Sequence, residues 1–337
     1  MPELPEVEAV RRGLARHLTG RTIARVEVLD PRPLRRQDGG PQAFARRLAG
    51  RTVTGAVRRG KFLWLPLDDG TALSAHLGMS GQLLVRGTCA SAPAVPERDA
   101  VVDPAAHGGD LTARRPPSLL RDLSVHPRHL RVRLHLERLS SDAPGGAALD
   151  MVDQRVFGHL HVTRLEPTAD SAPGGMGSPA PLLPADAVHI ARDLLDPDLD
   201  RALVMARLRS SRRAIKTLML DQTLVSGVGN IYADEGLWSA RLHGLRRGEE
   251  LTRSAVTRLL ESTADVMVRA LEAGGTSFDA LYVDAEGAAG FFARELGAYG
   301  RVGQPCRRCG TVMRSEVVGG RSHTFCPRCQ IRPRRRS

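Results

Sequence analysis

The chain has 337 residues, 42% of them hydrophobic, enough for two domains with real cores and a small appendage, which excludes wholesale disorder. Lysine and arginine number 49 against 37 acidic residues, a net charge of +12 that makes a polyanion the first partner to consider and a small neutral metabolite a poor one. No run approaches the roughly 18 apolar residues of a membrane span, and the opening MPELPEVEAV carries acids where a signal peptide needs basic and then apolar residues, so a cytoplasmic protein is expected.

A first helix is predicted over residues 5–18. Pro5 suits the first helical position, Glu6 and Glu8 favour the positive helix end, and Val7, Val10, Leu14 and Leu18 share one face. Strands are predicted at 22–29, 61–66 and 71–77, the last two joined by a hairpin turn at Asp68-Asp69-Gly70. Residues 129–137 alternate, with Leu130, Val132, Leu134 and Leu136 on one side and Arg131, Arg133 and His135 on the other, and a further strand pair is predicted over 148–164. The N-terminal half is therefore expected to be mostly antiparallel β. Residues 87–128 and 168–184 lack periodicity and read as mobile insertions; Cys89 lies in the first and has no assigned role. From Ala185 the pattern turns helical, near 186–195, 200–208, 212–220, 231–240 and 252–273. Domain boundaries are placed at 1–184, 185–300 and 301–337.

Cys306-x2-Cys309 and Cys326-x2-Cys329, separated by 16 residues, have the spacing of a zinc ribbon. Four thiolates fill a tetrahedral zinc shell, so one structural Zn2+ is expected and catalysis must lie elsewhere. Arg314, Arg321 and His323 fall on the hairpin expected between the two cysteine pairs, suited to contacting phosphates.

The stretch LDQTLVSGVGNIYADEGLW places two glycines in a tight connection, with Asn230 as the expected N-cap of the following helix. Backbone N–H groups at that helix start could grip a phosphate, and Lys216 one helix earlier could bind the same strand. Lys61 and Lys216 are the only lysines in a chain that otherwise uses arginine, and each is a lead to a site that needs a compact ammonium.

The N-terminus carries the most specific chemistry. Removal of Met1 leaves Pro2 as a free secondary amine beside Glu3. An α-amino group titrates near about 7.7–8.0, against about 10.4 for lysine, so a useful fraction is neutral at pH 7. A secondary amine attacking a sugar's anomeric carbon gives an iminium, an electron sink that acidifies the neighbouring ring-carbon proton. Glycosidic and strand cleavage can then follow from one intermediate.

MPELPEVEAVRRGL, RRGKFLWL around Lys61, HLGMSGQL around Met79, DQRVFG around Phe157, the glycine turn and YGRVGQPCRRCG…GRSHTFCPRCQ together closely resemble the bacterial formamidopyrimidine-DNA glycosylases. The resemblance covers nearly the whole chain apart from the two insertions. It implies a multidomain α+β protein: an N-terminal antiparallel β-sandwich with flanking helices, a helix-two-turn-helix domain, and a zinc finger gripping damaged double-stranded DNA. It implies excision of oxidised purines followed by β,δ-elimination, with Pro2 as Schiff-base nucleophile, Glu3 as acid/base, Lys61 assisting β-elimination and Arg321 assisting δ-elimination. Met79, Arg155 and Phe157 match the trio that fills the gap left by the flipped nucleotide, and an unbranched Met and a flat Phe can replace lost stacking. His129, Lys216 and Asn230 match backbone contacts, and Glu6 a residue near the base pocket. Residues 274–292 match the loop that caps a flipped purine. A monomer acting at the bacterial nucleoid is expected. Val156 stands where the family commonly has arginine, so this chain lacks the positive charge that often occupies that place. An endonuclease VIII-like enzyme for oxidised pyrimidines is the nearest alternative. A non-catalytic zinc-ribbon protein would have no reason to keep Pro2-Glu3, and a proline-amine tautomerase would leave the zinc site idle.

Overall fold

Helix α1 (Leu4–Leu18) forms over the predicted stretch, and Val7, Val10, Leu14 and Leu18 are all buried by the sheets that follow. Glu6 reaches back to the backbone N–H of Glu3 at 2.8 Å, which caps the helix start and leaves the Glu3 side chain for another partner. The computed structural model describes residues 2–87, 128–140, 142, 146–274 and 295–333. Cys89, most of the 87–128 insertion and the 275–292 part of the expected capping loop lie outside the described residues.

Strand β1 (Ile23–Val28) and helix α2 (Gly40–Leu48) lead into β2 (Val57–Arg59), β3 (Phe62–Pro66), β4 (Thr71–His76) and β5 (Gly81–Arg86). Strands β6 (Leu130–Leu136), β7 (Ala148–Asp153), β8 (His159–Pro167) and β9 (Leu182–Pro184) complete the half. Two antiparallel sheets result, in the orders β1-β6-β7-β5 and β2-β3-β4-β8-β9. They share one apolar core with α1 and α2, in which Leu63, Leu73 and Leu160 of one sheet meet Val132, Leu134 and Met151 of the other. The alternation of β6 is as predicted on its apolar side, but Arg133 on the other side is buried too, held by Asp150 at 2.6 and 2.8 Å.

The strand pair expected over 148–164 is two strands of different sheets. β7 pairs with β5 and β6, whereas β8 pairs with β4 and β9. The intervening turn crosses between sheets because Asp153 binds the N–H groups of both Arg155 and Gly158 and so folds the chain away from β7.

The 168–184 segment, expected to be a mobile insertion, is tied down. Arg58 exchanges two backbone hydrogen bonds with Met176, Arg59 donates to the Gly174 carbonyl, and Arg192 holds Asp170. Residues 186–195 form a short 3-10 turn (Ala185–Ala187) and an irregular run rather than a helix. Their backbone groups are taken by distant partners: Ala191 donates to Gln222, and Ser226 donates to Arg192. Arg58, 1% exposed, locks this run to α1 by binding Glu8 at 2.7 Å and Asp193 at 2.6 Å. Burial would push the Glu8 carboxyl up, but the guanidiniums of Arg11 and Arg58 outweigh it and hold it below the ordinary range. Removing one partner of such a buried network costs about 3–5 kcal/mol.

The second core is helical, built from α3 (Arg201–Arg209), α4 (Ile215–Met219), α5 (Asn230–Ser239) and α6 (Arg253–Glu272). Asp200 and Thr252 cap α3 and α6 by accepting from Leu203 and Ala255. Leu4, the first residue of α1, packs into this core while Val7 and Val10 pack into the other, so residues 2–3 lie at the seam of the two. A hairpin of β10 (Arg314–Val318) and β11 (Arg321–Phe325) carries the cysteine module.

Candidate active site

Glu3 sits at the seam and is 3% exposed. Its carboxylate accepts from the backbone N–H groups of Gly229, Ile231 and Tyr232 at 2.7, 2.8 and 3.3 Å, so a side chain from the other end of the chain caps α5. The N-cap position of α5 is Gly229, not Asn230 as expected, and its first N–H groups are spent on Glu3 rather than left for a phosphate. Gly229 is needed for this approach: a Cβ there would lie 2.3 Å from the Glu3 Cδ. Gly227, at φ +86, would likewise strike Leu4. Tyr232 donates its hydroxyl to Glu6 at 3.0 Å, which closes the seam. Burial pushes the Glu3 carboxyl above the ordinary range, with Lys61 opposing and Glu6 adding to the rise.

A cleft of about 590 Å³ opens at this point, lined by Pro2, Glu3, Lys61, Met79, Asn230 and Arg321 among others. Six residues assigned from five separate motifs thus share one space. Lys61 donates to the Val228 carbonyl at 3.0 Å. Its burial lowers the ammonium pKa from the ordinary value, Glu3 and Glu6 counter this, and the Arg321 charge adds to the lowering. His76, which the sequence reasoning passed over inside the HLGMSGQL motif, also lines the cleft. Its Nδ1 accepts from Gly78 at 3.1 Å, which assigns the proton to Nε2, and its ring stacks on His159 at 5.1 Å. Burial, followed by the charges of Arg36, Arg35 and Lys61, lowers its pKa and keeps the ring neutral.

Met79 and Phe157 stand 44% and 45% exposed on two turns pressed together. A Cβ on Gly78 would lie 2.5 Å from the Phe157 backbone. Buried Asp153 joins the turns by accepting from the Ser80 hydroxyl at 2.6 Å and from the Arg155 and Gly158 N–H groups at 3.1 and 2.7 Å. The Arg155 guanidinium lies over the Phe157 ring, 4.8 Å from its centroid. His129 stands at the edge of this unit, where its carbonyl accepts from Asp153; it does not line the cleft. Val156 has φ +56, an unfavourable backbone for a β-branched residue.

Two expected phosphate ligands are internal. Lys216 has no exposure: its ammonium binds Asp234 at 2.7 Å and the Ser322 carbonyl. His323 is equally buried against Asp234 and Gly244. The partner of the compact Lys216 ammonium is thus the buried Asp234 carboxylate. Neither Asp234 nor His323 was distinguishable in sequence from a solvated residue, because the contact joins segments about 90 residues apart.

The Sγ atoms of Cys306, Cys309, Cys326 and Cys329 all lie within 4.8 Å of one another. Thiolates sharing one tetrahedral zinc lie about 3.8 Å apart, given Zn–S bonds of about 2.3 Å. The cluster fits one structural zinc and, with four protein ligands, leaves no position for a substrate. No described helix is long and apolar enough to cross a membrane.

The chain matches three family models in sequence: the formamidopyrimidine-DNA glycosylase N-terminal domain over residues 1–160, the H2TH domain of the same enzymes over 190–281, and a zinc finger found in FPG and IleRS over 303–331. It is 49% identical over 336 residues to a formamidopyrimidine-DNA glycosylase of a Nocardioides species, covering 100% of this chain and 96% of the relative. It is 48% identical to that of Salinispora arenicola, covering 99% and 98%. Among solved structures, it resembles Lactococcus lactis Fpg in complex with an abasic site-containing DNA, with TM-score 0.71 and 28% identity over 98% of this chain and 100% of that one. With fold, cleft, zinc cluster and whole-length identity in agreement, the chain belongs to the formamidopyrimidine-DNA glycosylase family.

Proposed function

We propose that this glycosylase excises oxidised purines, 8-oxoguanine and formamidopyrimidines, from duplex DNA and cuts the strand through a covalent intermediate on Pro2. The observation that carries the proposal is the single cleft shared by Pro2, Glu3, Lys61, Met79, Asn230 and Arg321. Once Met1 is removed, the Pro2 nitrogen attacks C1′ of the damaged nucleotide, and the base departs with a proton. The sugar ring opens to an iminium, which acidifies the C2′ proton. Loss of that proton expels the 3′ phosphate, and a second elimination expels the 5′ phosphate. Glu3, held beside Pro2 by three N–H groups and raised in pKa by burial, exchanges protons with the opening sugar. Lys61 turns its ammonium from the Val228 carbonyl to the phosphate at the lesion and assists the first elimination. Arg321 assists the second.

Met79 and Phe157 enter the stack where the nucleotide leaves, and Arg155 pairs with the orphaned base. His129 and Asn230 hold backbone phosphates, and Glu6 borders the base pocket. Zinc supplies no step and holds the hairpin that presents Arg321. We assign domains 1–184, 185–300 and 301–337; the sheet core and the hairpin support the reading, while Leu4 packs into the helical core and Ala187 and Ile190 pack with Val57 and Leu183 across the first boundary. We read the protein as a monomer acting in the bacterial cytoplasm, at the nucleoid.

The test is a paired excision assay. A duplex with 8-oxoguanine opposite cytosine should lose its lesion base at least about tenfold faster than a matched thymine-glycol duplex. Preference for thymine glycol would replace this reading with the endonuclease VIII type.

A further inference from the structure

Helix α5 carries two buried attachments on its first turns. Its leading N–H groups hold Glu3, and one turn later Asp234, which has no exposure, holds the zinc-finger hairpin. The Asp234 carboxylate accepts from Lys216 Nζ at 2.7 Å, from His323 Nδ1 at 2.7 Å and from the Thr324 backbone N–H at 2.9 Å. His323 Nε2 in turn accepts from the Gly244 N–H at 3.0 Å, so both ring nitrogens are engaged and the imidazole is neutral with its proton on Nδ1. The residue between His323 and Arg321 is also fixed: Lys216 binds the Ser322 carbonyl, and Asn230 donates to the Ser322 hydroxyl at 3.1 Å. Arg321 itself lines the cleft, is exposed, and has no ion pair with a carboxylate among the described residues.

We infer that Asp234 and His323 are positioning residues that set the register of Arg321 against Glu3, with α5 as the common ruler. The inference rests on the reading of Arg321 as the group that assists the second elimination. A hairpin anchored only by its zinc could rock about the cysteine end, and Gly319-Gly320 at its tip, both at positive φ, offer no stiffness of their own. The buried carboxylate removes that freedom at the strand that carries Arg321. A displacement of about 1 Å at a reacting group can cost on the order of 10²-fold in rate.

The experiment uses the full chain and a duplex with an abasic site, in single turnover, reading the ratio of δ- to β-elimination product. Borohydride trapping of the same duplex reports the Pro2 step. Arg321→Ala sets the floor of the ratio. His323→Leu, which keeps bulk and loses both contacts, should lower the ratio on the order of tenfold, with trapping within about twofold of wild type and zinc retained. His323→Asn, which keeps a donor toward Asp234, should recover the ratio, whereas His323→Gln should not. An unchanged ratio in His323→Leu, or trapping that falls in step with it, would overturn the inference. Should the leucine variant fail to fold, equal ratios for the asparagine and glutamine variants overturn it instead. If Arg321→Ala leaves the ratio unchanged, the assignment of Arg321 fails, and amide exchange at residues 320–322 decides the latch. Faster exchange in His323→Leu than in His323→Asn supports it, and equal exchange overturns it.

Discussion

The seam around Glu3 and the turn of Met79 border the same cleft, and that seam and the paired turns of Met79 and Phe157 are built on opposite terms. At the seam, Glu3, Glu6 and Tyr232 are buried, and the Glu3 carboxylate accepts from three N–H groups that arrive from a different core. On the turns, the backbone is fixed by Asp153 and by Arg35 donating to the Phe157 and Gly158 carbonyls, while two large apolar side chains stand half exposed. A carboxylate that must move protons benefits from being held before substrate arrives, since no reorganisation is then needed during reaction. A wedge that must replace a missing base needs a rigid base and an uncovered tip, and it gains its burial from the partner.

The comparison is broken most sharply at the seam. Glu3→Gln should lower strand cleavage about 10²–10⁴-fold, measured in single turnover on an 8-oxoguanine duplex. It also has a signed effect on stability. Burial raises the Glu3 pKa, so the ionised carboxylate costs stability at neutral pH, and this cost disappears as pH falls through the raised value toward 4.5. Denaturant titrations should therefore show the stability of wild type relative to Glu3→Gln rising as pH falls over that window; the opposite trend would mean the N–H bonds from α5 dominate.

Zinc removal comes next. Stripping the four-cysteine cluster should release the hairpin and weaken duplex binding, because a module this small has little core without its metal. Binding isotherms after chelation should show the loss, and added zinc should restore it. Phe157→Ala tests the other side of the comparison: lesion-duplex affinity should fall about tenfold, while stability stays within about 0.5 kcal/mol, because the ring is half exposed. A large drop in melting temperature would make Phe157 a core residue instead. The smallest effect is expected at Val156, where Val156→Asn should add about 1 kcal/mol by relieving φ +56 without changing excision.

Much of this was legible in the sequence. The α1 stripe, the alternation of β6 and the cysteine spacing are local, periodic signals, and the structure returns them within a residue or two. What misled was non-local. Residues 186–195 have helical periodicity, yet Gln222 and Ser226 claim their backbone groups. The 168–184 stretch has the composition of a loose loop, yet Arg58, Arg59 and Arg192 pin it. β7 and β8 look like a hairpin because nothing in the intervening turn's sequence reveals that Asp153 folds it across two sheets. At the site, Pro2, Glu3, Lys61 and Arg321 were found through motifs, and the cleft brings them together. Lys216 was assigned to phosphate from its place before the glycine turn and from the family motif, and His323 from its place on the hairpin, whereas the carboxylate of Asp234 binds both.

The central claim is that the Pro2 amine is the nucleophile of a cleft preorganised by Glu3. Borohydride trapping on an 8-oxoguanine duplex tests it most directly, comparing chain with a free Pro2 amine, chain that retains Met1, and Pro2→Gly. A covalent complex with the first and none with the chain that retains Met1, despite equal salt-sensitive DNA binding, is the predicted result. Equal trapping with Met1 in place would contradict the account and move the nucleophile to another amine, such as that of Lys61, which also lines the cleft.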